Sequence, residues 1–206
     1  PRVDKTLLKE FHEGLIALSG CPSGEFIRTL MKDEKKAEDV LKTYQDIFGE
    51  ENFYLEVQKH PYQEARDLAT DELVKKDLEE ILDIQNRTIK AIKELSLKIG
   101  IPIVATNDFH YVKKEDAEAQ DALLCVQTGK FLSEVKRLRM IDTPDYFVKS
   151  PEQMAENFRD IPEALENTVR IAEKVNLEIP LGVARFPVFD TPEGKTSMDY
   201  LRELTY

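Results

Sequence analysis

The chain has 206 residues, 33% of them charged and 41% hydrophobic, which are the proportions of a globular protein of one domain or a domain and a half. Its 40 acidic residues outnumber the 29 basic ones for a net charge of −11, so this stretch by itself lacks the clustered cations of a general nucleic-acid binder. No apolar run approaches the roughly 18 residues of a membrane span, no signal peptide is visible, and two dissimilar cysteines, Cys21 and Cys125, argue for a reducing cytoplasm over a disulfide scaffold.

Lys5 to His12 reads as a helix end, followed by Gly14. Leu15 to Leu18 is a short apolar run of buried-strand type that empties into Ser19, Gly20, Cys21 and Pro22. Ser23 then reads as the N-cap of a helix carrying Phe26, Ile27 and Leu30 on one face. A helix over Lys36 to Phe48 has amphipathic spacing and Gly49 as its stop. The strand Phe53 to Gln58 places Phe53, Leu55 and Val57 on one face and Tyr54, Glu56 and Gln58 on the other, until His60-Pro61 breaks it. The longest helix spans about Asp71 to Lys98, with Leu78, Ile81, Leu82, Ile89, Ile92, Leu95 and Ile99 recurring at three and four.

Gly100 introduces the most informative stretch, Ile101 to Val112. Its unbroken apolar run suits a strand covered on both faces in a parallel sheet, and Asn107, Asp108 and His110 follow at once. While the backbone stays extended, Asp108 and His110 share a face, and the C-terminal ends of parallel strands are where ligands are held. A carboxylate and an imidazole aimed together suit a divalent metal. On spacing alone, a turn carboxylate beside a hydrogen-bonded histidine is the commoner outcome. Strand, helix, strand, helix, strand predicts parallel crossovers and an α/β fold.

Beyond Val112 the rhythm stops, so a boundary is expected near residue 113. Asp116 to Gln127 reads as a helix closed by Gly129, and Lys130 to Asp145 as an irregular basic stretch. Tyr146 to Val148 reads as a short strand, and Ser150-Pro151-Glu152-Gln153 as a capping box. A helix from Pro162 is expected to turn Leu165, Val169, Ala172 and Val175 inward. Pro180, Pro187 and Pro192 space out an extended stretch, and Thr196 or Ser197 caps a last helix. A start at Pro1 and an end inside a helical pattern are what a piece of a longer protein would show.

Several residues admit two readings. Cys21 has the same address as Asp108, just past a strand end, yet a lone cysteine is usually a small packing residue. Glu56 points either into a polar strand-end mouth or to solvent. His60 reads as a turn residue, His12 as exposed, Cys125 as core. Lys130, Lys136, Arg137 and Arg139 read as a solvated loop ahead of a phosphate contact.

The strings LIALSGC, FYLEVQ, IPIVATNDFHYV, EDAEAQDALLCVQTGK, FVKSPEQM and PEALENTVRIAEKVN, in this order and spanning nearly the whole chain, resemble the alpha subunits of bacterial DNA polymerase III of the DnaE type. The resemblance implies that residues 1–113 are the C-terminal half of a PHP (polymerase and histidinol phosphatase) domain, a distorted (β/α)7 barrel with metals at its strand ends. Residues 114–206 would be a mainly helical connector and the start of the polymerase palm region. It implies Cys21, Asp108 and His110 as metal-site residues, with zinc first and manganese or iron as alternatives, and magnesium at the polymerase centre. The family's His-x-His motif and its polymerase carboxylates have no counterpart here, so the stretch alone is expected to be inactive. Implied partners are DNA, deoxynucleoside triphosphates, a sliding clamp and a proofreading subunit, in the cytoplasm. The PHP module would be a 3′–5′ exonuclease or a structural, partner-docking brace; a stand-alone PHP phosphoesterase is the third alternative.

Overall fold

A computed structural model describes residues 3–184 and 189–206. The chain forms two compact units, Pro1–Lys174 and Val175–Tyr206. Among the described residues no helix is long and apolar enough to cross a membrane.

The first unit is mixed α/β, built on a three-stranded parallel sheet in the order β1-β2-β3. The strands are β1 (Ala17–Leu18), β2 (Phe53–Gln58) and β3 (Ile103–Thr106). β2 lies between its neighbours, with Ala17 opposite Phe53 and Leu55 opposite Ile103. Its Phe53, Leu55 and Val57 are at most 1% exposed and seed the main core, as their alternation predicts. β1 is shorter than the apolar run that announces it, and Leu15 and Leu18 are exposed because this is the edge of the described sheet.

The helices are α1 (Lys5–Glu10), α2 (Glu25–Leu30), α3 (Glu34–Phe48), α4 (Tyr62–Leu68) and α5 (Glu72–Ile99). α6 (Ala117–Thr128), α7 (Pro151–Asn157) and α8 (Pro162–Lys174) complete the unit. Asp33 caps α3 through Lys36 N–H, and Asp71 caps α5 through Leu73 and Val74 N–H. α5 ends where Gly100 takes a left-handed φ of 74°, and Ser96 Oγ donates to Ile101 O at 2.7 Å, fixing the turn into β3. α2 starts one residue later than expected: Gly24, not Ser23, is its N-cap. Residues 62–68 form a separate helix, because Ala69 leaves the helical region.

Two expectations for the later chain need correction. Tyr146–Val148 makes no strand, only a bridge between Tyr111 and Phe147, because the chain turns away after a few bonds to 110–112. Of the residues expected inward, Leu165 packs half-buried against the core; α8 otherwise buries Ala164 and Asn167, whereas Val169, Ala172 and Val175 are exposed and Val175 lies past the helix end. The inward stripe follows a spacing of three from Ile161 because Asn167 Nδ2 donates to Ile103 O at 2.7 Å, which pulls that face against β3. Phe158, Ile161 and Ala164 belong to the same core as the strands, so packing continues across position 113. The capping box at Ser150 forms as the sequence indicates.

In the second unit, α9 (Ser197–Thr205) is capped by Thr196 through Asp199 N–H. Pro187 lies outside the described residues.

Replacing Asn167 by Ala should lower unfolding free energy by about 1–3 kcal/mol, since a buried carbonyl loses its donor. Val169→Ala should change it by no more than about 0.5 kcal/mol. Urea titration of both variants reads this, and the reverse ranking would overturn the assignment of the buried face.

Candidate functional site

The parallel arrangement brings the loops after β1, β2 and β3 to one edge of the sheet. After β1, Ser19 N–H donates to Tyr54 O at 2.9 Å and Ser19 Oγ accepts from Glu56 N–H at 2.9 Å, stapling the loop to β2. The turn then closes so tightly that a Cβ at Gly24 would stand 3.0 Å from Cys21 O. Glu56, on β2, accepts from the Thr106 hydroxyl at 2.5 Å and from Gln58 Nε2 at 3.0 Å, both on Oε1. Cys21, Glu56, His60 and Asp108 line one cavity of about 250 Å³. Glu56 therefore serves the strand-end mouth.

Asp108 and His110 do not share a face as an extended backbone would require. β3 ends at Thr106, and Asp108 takes φ 49°, the one positive-φ residue other than glycine among the described residues. That turn keeps Asp108 in the cavity and leaves His110 exposed outside its lining, with Nδ1 2.7 Å from Asp108 O and its ring edge-on to Tyr146 at 5.7 Å. A left-handed aspartate at a strand end is strain of the kind that collects at functional sites.

The group that sequence reasoning missed is His60, whose side chain is 3% exposed. Its backbone is held by Gln85, which accepts from His60 N–H at 2.8 Å and donates to His60 O at 3.1 Å. Nδ1 stands 3.1 Å from Asp145 Oδ2, Lys149 Nζ donates to that same oxygen at 2.6 Å, and Nε2 is buried without a partner. The His60 ring lies against Tyr146, with centroids 4.4 Å apart, and the Tyr62 and Tyr146 hydroxyls meet at 2.6 Å. Burial is the main reason both phenols resist ionisation. The available signal was positional: His60 follows β2 as Cys21 follows β1. Its partner Asp145 is 85 residues away, beyond the reach of any local pattern.

Cys125 is buried, as expected. The basic loop is less solvated than its composition suggests. Arg137 makes two 2.6 Å bonds to Asp121 with both side chains nearly buried, and Arg139 pairs with Asp142 in the same forked manner. Loop 130–145 is thus anchored by its arginines.

Thiol, carboxylate and imidazole donors at one edge, together with a partnerless imidazole nitrogen, suit a divalent cation in their chemistry. Among the described residues, though, no three of His, Cys, Asp or Glu converge closely enough to hold an ion. Any ion here needs donors of another kind as well.

The family model described as "PHP domain" matches residues 1–60. Over 100% of the chain, the sequence is 36% identical to DNA polymerase III subunit alpha of Treponema pallidum and 38% identical to that of Borreliella burgdorferi. It is 36% identical to that of Thermus aquaticus, again over the whole chain. The chain spans 16% of the length of each of these relatives.

Burial raises the Asp145 carboxyl, but hydrogen bonds from His60 and Lys149 outweigh it and hold the group below its usual value of 3.8. A carboxyl depressed in the folded state stabilises above its unfolded value and loses that contribution as pH falls through its folded value. Wild-type stability should therefore decline below about pH 4 with a component that Asp145→Asn lacks. Urea midpoints measured from pH ~5 to ~2.5 test this; parallel acid losses in both proteins would remove Asp145 as the source.

Proposed function

We propose that the chain is a stretch of a DNA polymerase III alpha subunit and works within a replicative polymerase performing template-directed DNA synthesis, because it is similar to one stretch of such subunits from end to end. The observation that carries this reading is the unbroken similarity across all 206 residues, including the stretch after residue 113. A stand-alone PHP phosphoesterase would have no need of that stretch. The partners that follow are DNA, deoxynucleoside triphosphates, a sliding clamp and a proofreading subunit, and the compartment is the cytoplasm.

In this reading residues 1–113 are the C-terminal half of a PHP-type (β/α)7 barrel, and 114–206 are a connector and the start of the polymerase palm region. The parallel strands with intervening helices and the PHP match over residues 1–60 support the first assignment. Cys21, Asp108 and, once its ring leaves Tyr146, His110 would hold the PHP metal together with donors of another kind, zinc by donor type, with manganese or iron as the alternatives and magnesium at the polymerase centre. When bound, such ions supply Lewis acidity and charge neutralisation to phosphoryl transfer. The chain's own contribution is positional. Gly24 lets the Cys21 turn close, the left-handed Asp108 aims its carboxylate into the cavity, and Tyr62, Tyr146 and His60 wall one side against water.

The module's role is then 3′–5′ hydrolysis for proofreading, with Cys21 and Asp108 in one cavity as support. A second role, a brace between barrel and polymerase, is favoured by the core that residues 158–164 share with the strands.

Metal content, 3′–5′ exonuclease and polymerase activities should be measured on the alpha subunit carrying this segment, as wild type, Asp108→Ala and His110→Ala. The expected outcome is loss of metal and of exonuclease with polymerisation kept. Metal retained in both variants would overturn the ligand assignment, and metal lost in the variants of a wild type that itself shows no exonuclease would leave the brace.

A further inference from the structure

A second, more open cavity of about 500 Å³ shares Glu56 and Asp108 with the one that holds Cys21 and His60. Its size falls within the range of small-molecule sites, about 300–1,000 Å³. Phe109, Phe147, Val148 and Met154 give it an apolar wall. Phe109 is 67% exposed and pairs with no other aromatic ring among the described residues. Its backbone is nonetheless clamped. On one side of it Asn107 Nδ2 donates to Asp145 O at 3.2 Å and Phe147 O at 2.8 Å, and on the other His110 N–H donates to Tyr146 O at 2.8 Å. The turn carrying Phe109 is thus tied to the segment carrying Phe147 and Val148, so the wall is set before any ligand arrives. A lone exposed phenylalanine needs no explanation, but one held rigidly beside three further apolar side chains around a cavity is a patch of the kind that marks a binding site.

The lining charges select what enters. Glu56 and Asp108 are carboxylates, and the cation lining the cavity, Lys149, is already committed to Asp145 at 2.6 Å. A bare anion is repelled there, whereas a flat neutral heterocycle stacks on an exposed ring. We propose that Phe109 and Phe147 hold the base of the 3′-terminal nucleotide of a single DNA strand. Its phosphate is then left outside the apolar wall, toward Asp108 and the mouth that Asp108 shares with Cys21. The proposal rests on the proofreading reading for the nature of the strand, and it gives Phe109 and Phe147 a grip on substrate that the metal assignment does not use. Stacking is indifferent to base identity, which a site that must accept any mispaired terminus requires.

The test uses the alpha subunit carrying this segment and a single-stranded oligodeoxynucleotide with 5-iododeoxyuridine at its 3′ end, joined through a phosphorothioate that slows hydrolysis. Irradiated iodouracil couples to an aromatic ring stacked on it, and mass spectrometry of the digested complex should find the label on Phe109 or Phe147. The yield should fall about tenfold or more in Phe109→Ala and be kept in Phe109→Tyr, which retains a ring to stack on. Iodouracil at the 5′ end should not label these positions. Because Phe109 is exposed, circular dichroism of both variants should match the wild type. Label elsewhere in the subunit with none on Phe109 or Phe147, or a yield untouched by Phe109→Ala, overturns the proposal. The proofreading reading fails separately: a labelled Phe109 in a subunit without 3′–5′ exonuclease activity would keep the base site and remove the hydrolysis, and exonuclease activity without the label would do the reverse.

Discussion

The strand-end geometry depends on β2 having a parallel neighbour on each side. Parallel pairing sends all three strands toward one edge, and the buried backbone of β2 leaves it no freedom to slip: a shift of one residue would turn Leu55 and Val57 out of the core. With register fixed, Glu56 is fixed, and with it the two anchors it holds. Its amide ties the Cys21 loop through Ser19 Oγ, and its carboxylate ties β3 through Thr106. One residue of the central strand thus sets the relative positions of the loops that carry Cys21 and Asp108.

The second constraint is the segment from Arg137 to Lys149, which has almost no regular structure yet is tied to the first unit at both ends by side-chain hydrogen bonds. Arg137 ties its start to α6 through Asp121. Near its end, Asn107 binds the carbonyls of Asp145 and Phe147, His60 meets Asp145, Tyr62 meets Tyr146, and Tyr146 N–H donates to the Tyr111 hydroxyl. Polar clusters of this kind are worth keeping only when nearly all members are satisfied, because burial makes each unpaired group costly. Among the described residues the buried side-chain atoms left without a partner are His60 Nε2, Thr88 Oγ1, Asn107 Oδ1, Arg137 Nε and Thr143 Oγ1, and two of the five belong to this segment.

The elements legible in the sequence are those set by local chemistry. α5 follows from Asp71, a periodic apolar stripe and Gly100; α7 from its capping box; β2 from strict alternation. What could not be read depends on contacts between distant residues. The face of α8 is decided by one hydrogen bond to Ile103, 64 positions away, which outweighs the apolar preference of Val169. The site shows the same division. Cys21 and Asp108 were visible as strand-end residues, and both do line a cavity. The shared face of Asp108 and His110 was not, because it assumed extended backbone through a residue that adopts φ 49°.

That left-handed turn has a consequence for how the site is built. An extended Asp108 would place its carboxylate and the His110 ring side by side, ready to hold an ion without further help. The turn separates them and seats His110 against Tyr146, so the imidazole reports on segment 138–149 more than on the cavity. Tyr146 also touches His60 and Tyr62, which makes it the common neighbour of both histidines. Any ion that drew His110 back toward Asp108 would have to move that ring off Tyr146. Tyr146 is therefore the point at which both strand-end histidines meet the segment leading to α7 and α8.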